Sequence, residues 1–251
     1  MTLPGGGGSG SRNRFYKEVT VGEAAANTGA FKVLLDGRTI RTPAKRELVL
    51  PSQRLAEAVA EEWRSQEAVI DPSTMPLTRL ANSAIDGVAD RAMDVREAIL
   101  AYGGSDLICY LADGQAELVE RQSRRWGDVH AWIKQAFGVE LALAVGVMPV
   151  AQPDDMLARL ATAIGDRSPL ELAALHVMTA SMGSLLLTLG VLHGRLSPAE
   201  AWSLAHIDED FQIEKWGRDE EAEERRKRRS AEMNAACLVL ECCRKQAIGV
   251  N

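Results

Sequence analysis

Residues 31–63 read FKVLLDGRTIRTPAKRELVLPSQRLAEAVAEEW, and the hydrophobic period changes inside this one stretch. In its first part Phe31, Val33 and Leu35 occupy alternate positions, as one face of a strand requires. Asp36-Gly37 then supplies two residues tolerant of the positive φ that a tight hairpin demands, so Arg38 to Thr42 is expected to run back antiparallel. After Pro51 the period becomes about 3.6. Leu55, Ala56, Val59, Ala60 and Trp63 form one helical stripe, Glu57, Glu61, Glu62 and Arg64 form the opposite one, and Ser52 stands where a cap is needed. The fold class that follows is α+β, with a small β-rich N-terminal portion and a larger helical C-terminal portion.

Working outward, Phe15 to Val21 interleaves β-branched and aromatic residues with polar ones and reads as a strand; Glu47 to Leu50 reads as another. Residues 1–13, which carry a glycine tract, are expected to be a flexible leader without the charged start, apolar stretch or cleavage site of a secretory signal. The expected domains are therefore 14–51, β-rich, and 52–251, helical. Pro72 and Pro76 interrupt the helical part, and Leu77, Leu80, Ala81, Ala84, Ile85 and Val88 begin the next stripe. Further helices are expected at about Asp94–Tyr102, Leu118–Phe137, Pro153–Ile164, Pro169–Leu192, Pro198–Trp216 and Asp219–Ala247. Ser168-Pro169-Leu170-Glu171 and Ser197-Pro198-Ala199-Glu200 each combine a capping serine, a first-turn proline and a glutamate that reaches back. His193-Gly194-Arg195 separates the two helices they start, as in an antiparallel pair.

An apolar content of 46% in 251 residues is enough for a sizeable core, and aromatics at 5% favour close-packed helices. The formal charge of −6 opposes a phosphate backbone over most of the surface, which argues against nucleic acid as the main partner. Cys109, Cys237, Cys242 and Cys243 lack the spacing of a disulfide framework and fit a reducing compartment. Leu172 to Leu192 is long enough to span a bilayer, yet His176, Thr179, Ser181, Ser184 and Thr188 within it favour a buried central helix and no stable membrane insertion. A stripe at Leu185 to Leu192 lying on a membrane is the rival reading.

No phosphate-binding loop, dinucleotide fingerprint, nucleophile elbow or paired-cysteine zinc motif is present. The cluster His206, Asp208, Glu209 and Asp210 has metal-ligand residue types, and a small metal-dependent hydrolase using His206, Asp208 and Glu209 is the alternative function. Arg225 to Arg229 is a basic run, but Glu221 and Glu224 stand four residues before Arg225 and Arg228, so a salt-bridged, solvated helix accounts for it. Arg244 and Lys245 beside Cys242 and Cys243 raise the question of a reactive thiol, against a default of packing. The segment Ile207-Asp208-Glu209-Asp210-Phe211-Gln212-Ile213-Glu214-Lys215-Trp216-Gly217 places acids, an amide and two large aromatics on one helix, which suits either a recognition surface or an ordinary amphipathic helix.

Several blocks in order resemble the family of ATP synthase assembly chaperones that bind the alpha subunit of the catalytic head. They are Arg14-Phe15-Tyr16-Lys17; Leu35-Asp36-Gly37-Arg38 with Arg41-Thr42-Pro43-Ala44-Lys45; Glu61-Glu62-Trp63 with Gln66; and Met75-Pro76-Leu77-Thr78-Arg79-Leu80-Ala81-Asn82 with Ala84-Ile85-Asp86. Ser105-Asp106-Leu107-Ile108-Cys109-Tyr110, Gln122 and Trp126 follow. Asp208-Glu209-Asp210-Phe211-Gln212 with Lys215-Trp216-Gly217 and Asp219 closes the series. The resemblance runs from about Arg14 to about Arg229. It implies a chaperone without catalysis or cofactor, monomeric when free, whose partner is the ATP synthase alpha subunit. It places the partner-binding residues at Asp208, Glu209, Asp210, Phe211, Gln212 and Trp216, with Glu209 foremost. The leader has no Arg- and Ser-rich targeting character, which suits a bacterial, cytoplasmic member; eukaryotic relatives would work in the mitochondrial matrix.

Overall fold

The structure, a computed structural model, describes residues 12–25, 29–146 and 148–248. Packing divides the chain into two compact units, one made of residues up to Val95, Ser168–Ala174 and the end from Asn234, the other of Arg96–Arg167 and Leu175–Met233. The first helix, Gln53–Arg64, follows Ser52 and packs on the strands before it. A helix with an apolar stripe needs a partner face, and the sheet supplies one.

In the first unit β1 (Arg12–Asn13) precedes β2 (Val19–Glu23), β3 (Phe31–Leu35), β4 (Arg38–Thr39) and β5 (Val49–Leu50). β3 is central. It pairs antiparallel with β2 from Val19 opposite Leu35 to Glu23 opposite Phe31, and its other edge carries β4 and then β5. The hairpin turn is Asp36-Gly37, with φ of 47° and 77°. Helix α1 (Gln53–Arg64) starts at Ser52, whose hydroxyl accepts the Leu55 N–H, and buries Leu55, Ala56, Val59 and Ala60 over β2 and β3. Fully burying a Leu or Val is worth about 1.5–3 kcal/mol, whereas a surface ion pair such as Arg64 with Glu57 or Glu61 is worth at most about 1 kcal/mol, so packing holds α1 in place.

Arg12 and Asn13, assigned to the leader from sequence, form β1 and pair with β6 (Val69–Ile70); the leader up to Ser11 lies outside the described residues. The strand expected from Phe15 begins only at Val19, because the N–H groups of Lys17 and Glu18 donate to the Asp36 carboxylate (3.0 and 2.8 Å) instead of to a ladder. Glu62 caps α2 (Pro76–Ser83) from another helix, accepting the Leu77 and Thr78 N–H groups at 2.7 and 2.8 Å. Asp86 accepts from the Thr42 hydroxyl at 2.6 Å and the Ala44 N–H at 2.9 Å. After α2 the stripe passes through a π turn, Ala84–Val88, in which Ala89 N–H donates to Ala84 C=O, before α3 (Ala92–Ala101).

The second unit holds β7 (Tyr110–Leu111), α4 (Ala116–Phe137), β8 (Ala144–Val145) and α5 (Met156–Ile164). α4 contacts α5, and Trp126, Val129, Ile133, Leu160 and Ile164 are buried. The single helix expected from Pro169 to Leu192 is two, α6 (Pro169–Met182) and α7 (Leu185–Leu192). Gly183 adopts φ +66°, Ser184 caps α7 through the Leu187 N–H, and the buried Asp106 carboxylate takes the Leu186 N–H at 3.0 Å. No helix among the described residues is long and apolar enough to cross a membrane.

The helix expected from Pro198 to Trp216 is likewise two, α8 (Pro198–Ala205) and α9 (Ile207–Trp216). The indole N–H of Trp126 takes the Leu204 carbonyl at 3.0 Å, near the break at His206. Ser197 and Glu200 form the expected capping box, and Ser168 and Glu171 make the same exchange. α7 packs on α8 across a turn where Gly190 lies so close to Leu196 that an added Cβ would stand 2.6 Å from its Cδ1. α10 (Glu220–Ile248) is the last helix among the described residues.

Candidate functional site

All six residues singled out for partner binding lie on α9, but they do not form one surface. Three are held internally. Asp208 Oδ1 accepts from the Gln122 amide at 2.5 Å; Asp210 pairs with Arg226 at 2.6 Å; and Phe211 is buried, with the Arg121 and Lys215 cations 5.4 and 5.1 Å from its ring centroid. Glu214 and Lys215 are tied as well, Glu214 to Arg121 through two contacts of 2.8 Å and Lys215 to Glu117 at 2.7 Å. Acids in the first turn also suit the positive end of the helix dipole, which accounts for part of the Asp208-Glu209-Asp210 run without any partner.

The remaining three stand at helical spacing on the outward face. Glu209 is half-exposed, Gln212 is exposed with no side-chain hydrogen bond among the described residues, and Trp216 is 70% exposed. Among the described residues, the His206 ring is the charged or ionisable group that approaches the Glu209 carboxylate, at 3.8 Å. His206 is buried against Trp202, to whose carbonyl its Nδ1 donates at 2.7 Å; burial lowers its pKa and keeps it neutral. Glu209 is thus a negative charge without a cationic partner among the described residues, set one turn from an exposed amide and two turns from an exposed indole.

The competing candidates fare differently. The described residues contain no group of three or more His, Cys, Asp or Glu side chains that could hold a metal ion, and His206 donates Nδ1 to the Trp202 carbonyl of α8. Cys237 and Cys243 have their pKa raised to about 12, chiefly by burial, the opposite of a reactive thiol. The basic run is salt-bridged as expected: Arg225 meets Glu221 at 2.5 Å and Arg228 meets Glu224 at 3.8 Å.

Sequence reasoning missed the ground beside α9. Asp208 lines a cleft of about 680 Å³ together with Tyr102, Leu107, Tyr110, Leu111 and Asp113. One wall is β7, whose Tyr110 and Leu111 stand opposite Ala144 and Val145 of β8 in a parallel pair. The block Ser105–Tyr110 pointed at this wall, but strands of two residues give no readable period.

A family model described as ATP12 chaperone protein matches residues 13–134. The mitochondrial protein atp12 of Schizosaccharomyces pombe is 22% identical over 227 residues, covering 85% of this chain and 77% of its own length. The crystal structure of Atp12 from Paracoccus denitrificans superposes with a TM-score of 0.82 at 40% identity, over 92% of this chain and 97% of that one. An aspartate-to-lysine variant of the P. denitrificans protein matches with the same scores and coverage.

Proposed function

The chain belongs to the ATP12 family of chaperones, which serve assembly of the F1 ATP synthase, and from that premise we propose that its client is the unassembled alpha subunit of the catalytic head. Before it meets the beta subunit, such a client exposes an apolar surface that aggregates if left open. The chaperone covers it and lets go when the beta subunit competes. Easy release calls for a partly polar interface whose charges give specificity and fast association more than raw affinity.

The observation that carries this reading is the outward face of α9, where Glu209, Gln212 and Trp216 are left over while their neighbours are committed within the chain. Trp216 serves as the apolar anchor, Glu209 pairs with a basic group of the client, and Gln212 bridges them. Asp208, Asp210 and Phe211 act from beneath by holding the helix.

The test is co-purification with separately expressed alpha and beta subunits, wild type beside Glu209→Lys, with circular dichroism to establish that the variant is folded. Wild type is expected to capture alpha selectively and the folded variant to lose it. Capture retained by the variant moves the contact away from α9. A folded wild type that captures neither subunit, under conditions where alpha alone aggregates, overturns the client assignment.

A further inference from the structure

The cleft beside α9 carries chemistry that the outward stripe does not use. A buried amide fixes one side of it: Gln122 accepts the Ala112 N–H at Oε1 (2.7 Å) and donates from Nε2 to Asp208 Oδ1 (2.5 Å). Asp208 is therefore aimed, and its second oxygen receives no hydrogen bond among the described residues. Asp113, exposed, lies close against Gly146 on the same cleft. None of the lining residues is Lys or Arg, so two carboxylates face a space whose other walls are largely apolar.

The apolar character continues beyond the mouth. Leu143, just before β8, and Val145, within it, are 46% and 63% exposed, and Val145 adjoins the lining residue Gly146. Gln152 pins this segment by accepting the Ala142 N–H (3.0 Å) and donating to the Ala142 carbonyl (2.8 Å), so the exposed aliphatics sit on a held segment. A volume of about 680 Å³ falls in the range of ligand-binding clefts, roughly 300–1,000 Å³. An aimed carboxylate, Asp208, and an exposed one, Asp113, neither with a cation among the described residues, lie beside apolar walls and a held segment with exposed aliphatics, and are complementary to a chain that offers a cation next to aliphatic side chains.

We infer that this cleft receives an extended segment of the client in which an Arg or Lys stands beside aliphatic residues. The cation meets Asp208 Oδ2 and Asp113, and the aliphatics lie on Leu107, Leu111 and Val145. The inference rests on the reading of the alpha subunit as client, and it adds a second contact, for unfolded or extended chain, to the one made by the outward face of α9.

The experiment uses intact alpha subunit and immobilised overlapping peptides spanning its sequence, against the full-length wild type, Asp113→Lys, Val145→Asp and Glu209→Lys. Asp113 and Val145 are exposed, and circular dichroism checks each fold. Peptides with a basic residue beside aliphatics are expected to bind wild type and to weaken at least about 10-fold with Asp113→Lys or Val145→Asp. Replacing the peptide's basic residue with Glu is expected to abolish binding to wild type and restore it to Asp113→Lys. If wild type and both cleft variants capture intact alpha equally, or if the peptide's basic residue can become Ala without loss, the cleft assignment falls while the client reading stands. If wild type captures neither the subunit nor any peptide, both fall together.

Discussion

Asp106 is wholly buried and is held by N–H groups: those of Leu186 at 3.0 Å and Ile108 at 3.3 Å, with the Ser184 hydroxyl also engaged. Burial outweighs these contacts and raises its pKa from 3.8 to about 6. The folded chain thus holds this proton more tightly than the unfolded chain does, so its contribution to stability is greatest below pH 3.8 and is lost as pH rises to about 6. The unfolding free energy of wild type minus that of Asp106→Asn is expected to fall across this window by about 3 kcal/mol at most. Urea titrations at several pH values read the difference directly, and a gap that stays constant would mean the carboxylate is not shifted. Asp36 shows the reverse: exposed, with the Glu18 and Lys17 N–H groups on its carboxylate, it is held below its ordinary value. Both residues stand in blocks that mark the family resemblance, but their partners were not legible. Asp36 and Glu18 are eighteen positions apart and Asp106 and Leu186 eighty, and no local period encodes such pairs.

At the level of elements, legibility followed range. The i,i+4 pairs of α10 were readable because both members lie on one helix. Arg226, in the middle of the same run, reaches Asp210 on α9 instead, and nothing local predicts that. The two kinds of arginine should behave differently when removed. Arg228→Ala should change stability by no more than about 0.5 kcal/mol, since Arg228 and Glu224 are exposed and 3.8 Å apart. Arg226→Ala should cost about 1–2 kcal/mol, because it strands the half-buried Asp210. Equal unfolding midpoints for the two variants would refute this ranking. The helix breaks at Gly183 and His206 escaped the sequence for a related reason. Hydrophobic periodicity continues through both sites, and the groups that join there, Asp106 at the start of α7 and Trp126 on the Leu204 carbonyl, come from distant segments.

For the whole molecule, the order of strands, hairpin and helices placed the fold class. The membership of each compact unit was not readable, since α6 and α10 each belong partly to both. If acidic groups steer the client, association should slow by about 10-fold between low and high ionic strength, while dissociation changes little. Stopped-flow mixing with alpha subunit at several salt concentrations measures this, and a salt-independent on-rate would remove Glu209 and the cleft carboxylates from the encounter. The same membership bears on biosynthesis. The first unit includes the sheet near the beginning of the chain and also the stretch from Asn234, where Arg54 pairs with Glu241 at 3.0 Å. A ribosome still holding the last turns of α10 in its exit tunnel has released the sheet but not the segment that completes that unit. The first unit therefore cannot finish folding until that late segment has emerged, and a premature stop before Asn234 leaves it incomplete.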